Sequence, residues 1–381
     1  MEPEIPPPLE TLPAAKDEQA ASTPEPAAPA WGERVFCCVN RALFGDQGLR
    51  AGWSVALFLI LMIVLGVILG NIFVSLRLIS NKSSFTASSA FFGELIGFLA
   101  LVGAGALMAL LERRRSLLAF NLTGPRRVAH FLEGMAAGFA VLSALVGALT
   151  WGGWLHFGPV ALSGAQIIHF GAMWAGAFLL VGCFEEGTFR CYLQFTLTRG
   201  INFWWALGVV GPICLRLAMK AKGNGVWGVY AVALLGLLPC LILHLRKTPH
   251  SGFWQASWVT STLFGFIHTS NGGENWIGIF AAALIGFVFC VSIWVTGSAW
   301  WAIGCHAAWD WAETFFYGTA DSGLQPQGHY LTTNPVGNAL WSGGADGPEG
   351  SLLVIGAILL LLALLLVVYG RRSFGRVAQA G

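Results

Sequence analysis

Among the ionisable side chains inside otherwise apolar stretches of this chain, seven stand in motifs at helical spacing: Glu185, Glu186, Arg190, His268, His306, Asp310 and Glu313. Hydrocarbon makes a buried charge cost several kcal/mol on most scales, so each is a functional candidate. On one helix Glu186 and Arg190 are four residues apart and can neutralise one another, while Glu185 is rotated about 100° away and left free. A carboxylate without its own counter-ion is a candidate general base. His306, Asp310 and Glu313 fall at i, i+4 and i+7, one stripe of one helix. Phe264 and His268 are also four apart, which lays a phenyl ring against an imidazole. Glu94 and Glu133 are set aside as lying near helix entrances. His169 and His244 lack an ionisable partner at helical spacing and are expected to be packed or interfacial.

A carboxylate and two histidines around one water admit two chemistries. They could ligate zinc or another divalent metal through Glu185, His268, His306 and Asp310, leaving an open position for water. Alternatively Glu185 activates the water directly while His306 and Asp310 stabilise a tetrahedral oxyanion, with no metal. Spacing leaves both open. The bland alternative is that the Glu–Arg and His–Asp pairs only fix helix register.

Composition dictates the elements that must position these residues. Of 381 residues only 10% are charged, against about 25% in soluble domains, and 56% are hydrophobic. The mean hydropathy is +0.68. Such a chain is not a soluble enzyme. Ten apolar runs approach the roughly twenty residues that cross a bilayer, at about 53–76, 90–111, 130–151, 166–186, 203–219, 226–245, 253–270, 276–296, 299–317 and 351–369. With the N-terminus cytoplasmic, 16 of the 21 Lys and Arg fall on that side, including Arg113–Arg115, and the 318–350 loop, which has none, falls outside. The expected fold is an all-α polytopic transmembrane bundle. The 203–219 run is the weakest span, being short and carrying Arg216.

The first thirty residues are rich in Pro, Ala and Glu and are expected to form a disordered tail. Residues 1–50 are thus read as tail and juxtamembrane segment, and 51–381 as the membrane domain. A net charge of +2 gives no basic field for nucleic acid. The eight cysteines include no CxxC pair and are expected to pack, with lipidation conceivable only at Cys37 and Cys38. Gly134 and Gly138 should allow two helices to approach closely. Trp53, Trp254, Trp276 and Tyr369 read as interfacial anchors.

The segments Glu185-Glu186-Gly-Thr-Phe-Arg190, Phe264-Gly-Phe-Ile-His268 and His306-Ala-Ala-Trp-Asp310 resemble, in order, the EExxxR, FxxxH and HxxxN/D signatures of the CPBP family of intramembrane proteases, also called the CAAX prenyl protease 2 or Abi family. The resemblance covers about residues 90–370. It implies an intramembrane endopeptidase with Glu185 as water activator and His268 and His306 completing the catalytic site with Glu186, Arg190 and Asp310. It further implies a membrane-embedded or lipid-modified peptide as substrate, membrane lipid as surroundings, and a eight-helix core. Two features depart from the family. Asp310 stands where Asn is usual, and an ionised Asp can only accept hydrogen bonds. The 78 positions from Arg190 to His268 are long, which fits an inserted helical pair at about 203–245. A shared site also requires the helix carrying His268 to tilt or end within the membrane, with Thr269–Asn275 folded into the protein. The competing classes are a non-catalytic scaffold or bacteriocin-immunity-type binding protein and, third, a transporter. A bacterial plasma membrane is the expected location.

Overall fold

The computed structural model describes residues 31–45, 48–79, 85–112, 116–220 and 226–370. The expected tail at 1–30, the basic run Arg113–Arg115 and the basic residues beyond 370 lie outside them. The chain divides into two units, Met1–Phe44 and Gly45–Gly381. The first contains helix α1 (Trp31–Leu43), on which Cys37 and Cys38 are exposed.

The second unit is a helix bundle, as its hydropathy requires. Its helices are α2 (Ala51–Ser75), α3 (Ala87–Leu111), α4 (Arg127–Trp151), α5 (Ala165–Glu186) with its continuation α6 (Gln194–Thr198), α7 (Phe203–Lys220), α8 (Val226–Arg246), α9 (Ser251–Ile267), α10 (Trp276–Thr296), α11 (Trp300–Trp311), the short α12 (Ala339–Ser342) and α13 (Leu353–Leu365). Each of the ten expected runs is occupied by a helix. Among the described residues seven helices are long and apolar enough to cross a membrane, so the chain is a multi-pass membrane protein. The 203–219 run is helical with Pro212 inside it, α9 has 17 residues, and α11 is prolonged by a π-helical turn, Ala312–Tyr317.

Glycine sets the helix spacing around α11. A Cβ on Gly134 would stand 2.1 Å from the Trp301 carbonyl oxygen, and one on Gly138 2.3 Å from that of Cys305. Gly304 answers from the other side, where a Cβ would meet the Phe131 carbonyl oxygen at 2.1 Å. The expected small-residue contact is therefore the α4–α11 crossing. On α5, a Cβ on Gly182 would come within 2.9 Å of the Ile303 carbonyl oxygen. α11 is thus held closely by both α4 and α5, with His306 one residue from the Gly138–Cys305 contact.

The 318–350 loop is packed into the bundle by its backbone. Leu155–Phe157 pairs antiparallel with Thr333–Pro335. The Tyr330 and Leu331 amides donate to the carbonyls of Phe315 and Phe316. At its far end the Gly323 amide donates to the Asp346 carbonyl. Tyr369 is 5% exposed and its hydroxyl donates to Glu133, so the helix end carrying it packs against α4.

Candidate active site

Glu186 and Arg190 are both fully buried, and Arg190 Nη1 donates to Glu186 Oε1 at 3.2 Å. Helix α5 does not end there. It widens into a π-helical turn, Gly187–Leu193, and continues to Thr198, giving a span of 34 residues. Wide turns of this kind interrupt helices mostly at functional sites. The guanidinium lies 4.2 Å from the centre of the Phe264 ring, which supplies attraction where water cannot. Gly286 on α10 makes the room, since a Cβ there would stand 2.2 Å from Arg190 Nη2. From the other side Asn121 Nδ2 donates to the Arg190 carbonyl at 2.8 Å. Neither Gly286 nor Asn121 carries a chemical signal in the sequence.

His306 is the hub. Its Nδ1 lies 2.8 Å from Glu186 Oε1, an atom that accepts, so the proton is assigned to Nδ1. Its Nε2 faces Glu185 Oε2 at 3.7 Å and Asp310 Oδ2 at 3.4 Å. Glu186 therefore serves Arg190 and His306 together, across 120 positions of sequence. The Phe289 ring stacks on the imidazole with centroids 5.7 Å apart.

His268 begins the 3₁₀ turn that ends α9. The short helix brings His268 to the cavity shared with Glu185 and His306, and of the polar stretch after it Thr269, Ser270 and Gly272 are exposed while Asn271 and Gly273–Asn275 are half-buried. Asn275 Oδ1 accepts from the amides of Ile277 and Gly278, capping α10, and the Asn275 amide donates to Asp346 Oδ2. His268 Nδ1 is 2.8 Å from the Phe264 carbonyl oxygen, again an acceptor, so Nε2 is the uncommitted ring atom. The Phe264 ring lies 4.8 Å from His268 and 6.2 Å from His306, separating two imidazoles that face the same cavity.

That cavity has a volume of about 240 Å³. Glu185, His268, His306 and Asp310 line it together, with Phe178, Phe264, Ile285 and Phe289 forming apolar wall. Glu94 lines it too. The sequence reading set Glu94 aside as an entrance residue, but α3 starts at Ala87, which places it two turns inside. The loop contributes Asp321, Ser322 and Glu349. Outside the spans, burial, reinforced by Glu349, raises the Asp321 carboxyl to about 7.

Glu313 does not share the Asp310 position. The π-helical turn beginning at Ala312 breaks the expected stripe, and Glu313 Oε2 instead accepts from Trp309 Nε1 at 3.1 Å. Of the four candidate metal ligands, His306 Nε2 lies 3.7 Å from Glu185 Oε2 and 3.4 Å from Asp310 Oδ2, and His268 lines the same cavity. Among the described residues a separate triad, Glu313, Asp321 and Glu349, has ligand atoms within 4.8 Å of one another.

Residues 167–312 match the family model of the type II CAAX prenyl endopeptidase Rce1-like proteins. This segment runs from α5 through α11 and contains all three motifs. The match supports the CPBP family expected from those motifs, and a CAAX-type intramembrane protease as the general class of activity. Comparison with curated proteins finds no match, and neither does comparison with solved structures.

Proposed function

We propose that this chain is an intramembrane endopeptidase in which Glu185 activates water for attack on a peptide bond. The observation that carries the reading is the division of labour between adjacent glutamates. Glu186, fully buried, holds both Arg190 and His306 through its Oε1, while Glu185 faces the cavity. Glu185 takes a proton from water as the oxygen attacks the scissile carbonyl carbon, then returns it to the leaving amine. With Nδ1–H given to Glu186, a second proton on His306 Nε2 faces the cavity and is the donor we assign to the developing oxyanion. Asp310 acts through His306, balancing the charge of the doubly protonated ring. This gives the residue standing in place of Asn a use that does not require it to donate. His268, pinned through Nδ1, presents Nε2 to the substrate-bearing cavity.

Each of these steps is carried by the chain's own side chains. The substrate we assign is a membrane-associated peptide, of the lipid-modified CAAX class that the family match names. An apolar wall of Phe178, Ile285 and Phe289 beside the polar groups suits a peptide delivered from lipid. Helices α7 and α8 are read as an insertion into the core, and the bacterial plasma membrane as the location.

The test is Glu185→Gln, which preserves shape and removes the base. Cleavage of a lipidated CAAX reporter peptide by the purified chain in lipid nanodiscs should fall by about 10²- to 10⁴-fold, the usual worth of a general base. Thermal unfolding should be unchanged. Cleavage at the original rate would sink the reading and favour a non-catalytic scaffold.

A further inference from the structure

A second cluster of acids lies beyond Asp310, and none of its members takes part in the proposed reaction. Glu313, fully buried, reaches it from the π-helical turn after α11. Asp321 and Glu349 reach it from the two ends of the loop. One carboxylate oxygen from each lies within 4.8 Å of the others. That is the separation of oxygens that share one cation at 2.3–2.6 Å.

The partners around this triad are neutral. Trp309 Nε1 donates toward Glu313 Oε2 at 3.1 Å and Glu349 Oε1 at 2.8 Å. Thr314 Oγ1 donates to Asp321 Oδ2 at 2.7 Å, and Ser322 Oγ to Glu349 Oε2 at 3.2 Å. Among the described residues, no ion pair links a Lys or Arg to any of the three, and His306 is taken up by Glu185, Glu186 and Asp310. An independent feature points to a missing ligand. Glu313 Oε1 is buried with no hydrogen-bond partner at all. A buried polar atom left unpaired is costly, and more so when it belongs to a charged group.

We propose that Glu313, Asp321 and Glu349 hold a hard divalent cation of the calcium class, separate from the Glu185–His306 site. All three ligands are carboxylates, with no His or Cys, a set that selects calcium, magnesium or manganese over zinc. The ion would supply the positive charge the cluster lacks. It would also clamp both ends of the 318–350 loop to the end of α11. Asp321 and Glu349 line the catalytic cavity, so an occupied site fixes one wall of the chamber in which the peptide is cut.

The experiment uses the full chain in detergent micelles, stripped with chelator and then titrated separately with Ca²⁺, Mg²⁺, Mn²⁺ and Zn²⁺. Thermal unfolding and isothermal calorimetry are the readouts. Tb³⁺ replaces Ca²⁺ in a third measurement, with Trp309 placed to sensitise its emission. We expect saturable Ca²⁺ binding at one site, a rise in unfolding temperature, and Tb³⁺ emission that Ca²⁺ displaces. Glu349→Gln and Asp321→Asn should each weaken binding by about tenfold or more, since affinity follows the number of charged ligands. Glu185→Gln should leave it unchanged. Glu313→Gln adds a fourth case, and the two loop variants keep the test decisive if that buried substitution does not fold. No saturable binding would overturn the proposal. So would selectivity for Zn²⁺ alone, or binding that survives both loop variants and disappears with Glu185→Gln.

Discussion

Two groups of carboxylates sit on one cavity and are balanced by different means. Around His306, Glu185, Glu186 and Asp310 face an imidazole, and Arg190 completes the charge balance from within α5. Around Trp309, Glu313 and Glu349 receive its indole N–H, and Glu349 and Asp321 each receive a hydroxyl, from Ser322 and Thr314. The first group rests on helices whose backbones touch. The second draws two of its three members from a loop. A protein-supplied cation gives a site whose geometry is fixed during folding, whereas neutral donors leave charge to be met by protons or an ion. The contrast matches the two roles proposed above, proton transfer for the helical group and a structural, ligand-dependent part for the loop group.

The severest way to break this contrast is to remove the internal cation. Arg190→Ala would leave Glu186 buried beside His306 without its guanidinium, making the helical group resemble the loop group. Breaking a buried pair from one side costs about 3–5 kcal/mol. We expect loss of reporter cleavage to background together with a large fall in unfolding temperature, or failure to accumulate folded protein. Wild-type activity in this variant would show that Arg190 does not hold Glu186 in place.

Helix contact can be tested without touching a charge. Gly138→Ala puts a Cβ where the Cys305 carbonyl oxygen now sits, and the helices must separate. Overpacking costs about 1–3 kcal/mol. Displacing His306 by about 1 Å should lower turnover by about 10²-fold. Reporter cleavage in nanodiscs and thermal unfolding together separate the two effects. Gly147, on the same helix with open space beside it, is the control, and its substitution by Ala should change neither.

A gentler change sharpens the role given to Asp310. Asp310→Asn keeps shape while removing one of the charges facing His306 Nε2. If Asp310 works by balancing that ring, cleavage should fall only roughly tenfold, equivalent to about 1.4 kcal/mol, and its pH profile should shift. A loss as deep as that of Glu185→Gln would mean that Asp310 itself handles the proton.

The sequence made the helical group readable and left the loop group almost invisible, for a physical reason. Pairing of Glu186 with Arg190 follows from i,i+4 geometry, and hydropathy locates the helices. The contact from Glu186 to His306 spans 120 positions and depends on how α5 packs against α11, which no local period encodes. Glu313 looked like part of the His306 stripe because periodicity assumes 3.6 residues per turn, and the π-helical turn at Ala312 violates that assumption. Asp321 and Glu349 lie in a segment without periodicity, so their meeting with Glu313 follows from hydrogen bonds to Thr314, Ser322 and Trp309. Gly286 drew no attention because its contribution is an absent side chain.

The smallest effect concerns the loop side alone. Glu274, in the connection between α9 and α10, accepts from Asn271 Nδ2. Burial, reinforced by Glu349 and Asp346, raises its carboxyl from 4.5 to about 9. The folded state therefore holds a proton that the unfolded chain releases near 4.5. Linkage gives the sign: between those values the folded state binds more protons, so raising the pH removes stability, and the loss is complete only above about 9. In chelator, the unfolding temperature should decline as the pH is raised from 5 to 9, and Glu274→Gln should flatten that decline while leaving cleavage by Glu185 in place. If wild type and variant declined in parallel, Glu274 would not be the group that binds the proton, and the loop acids would have to be balanced by something other than protonation at this position.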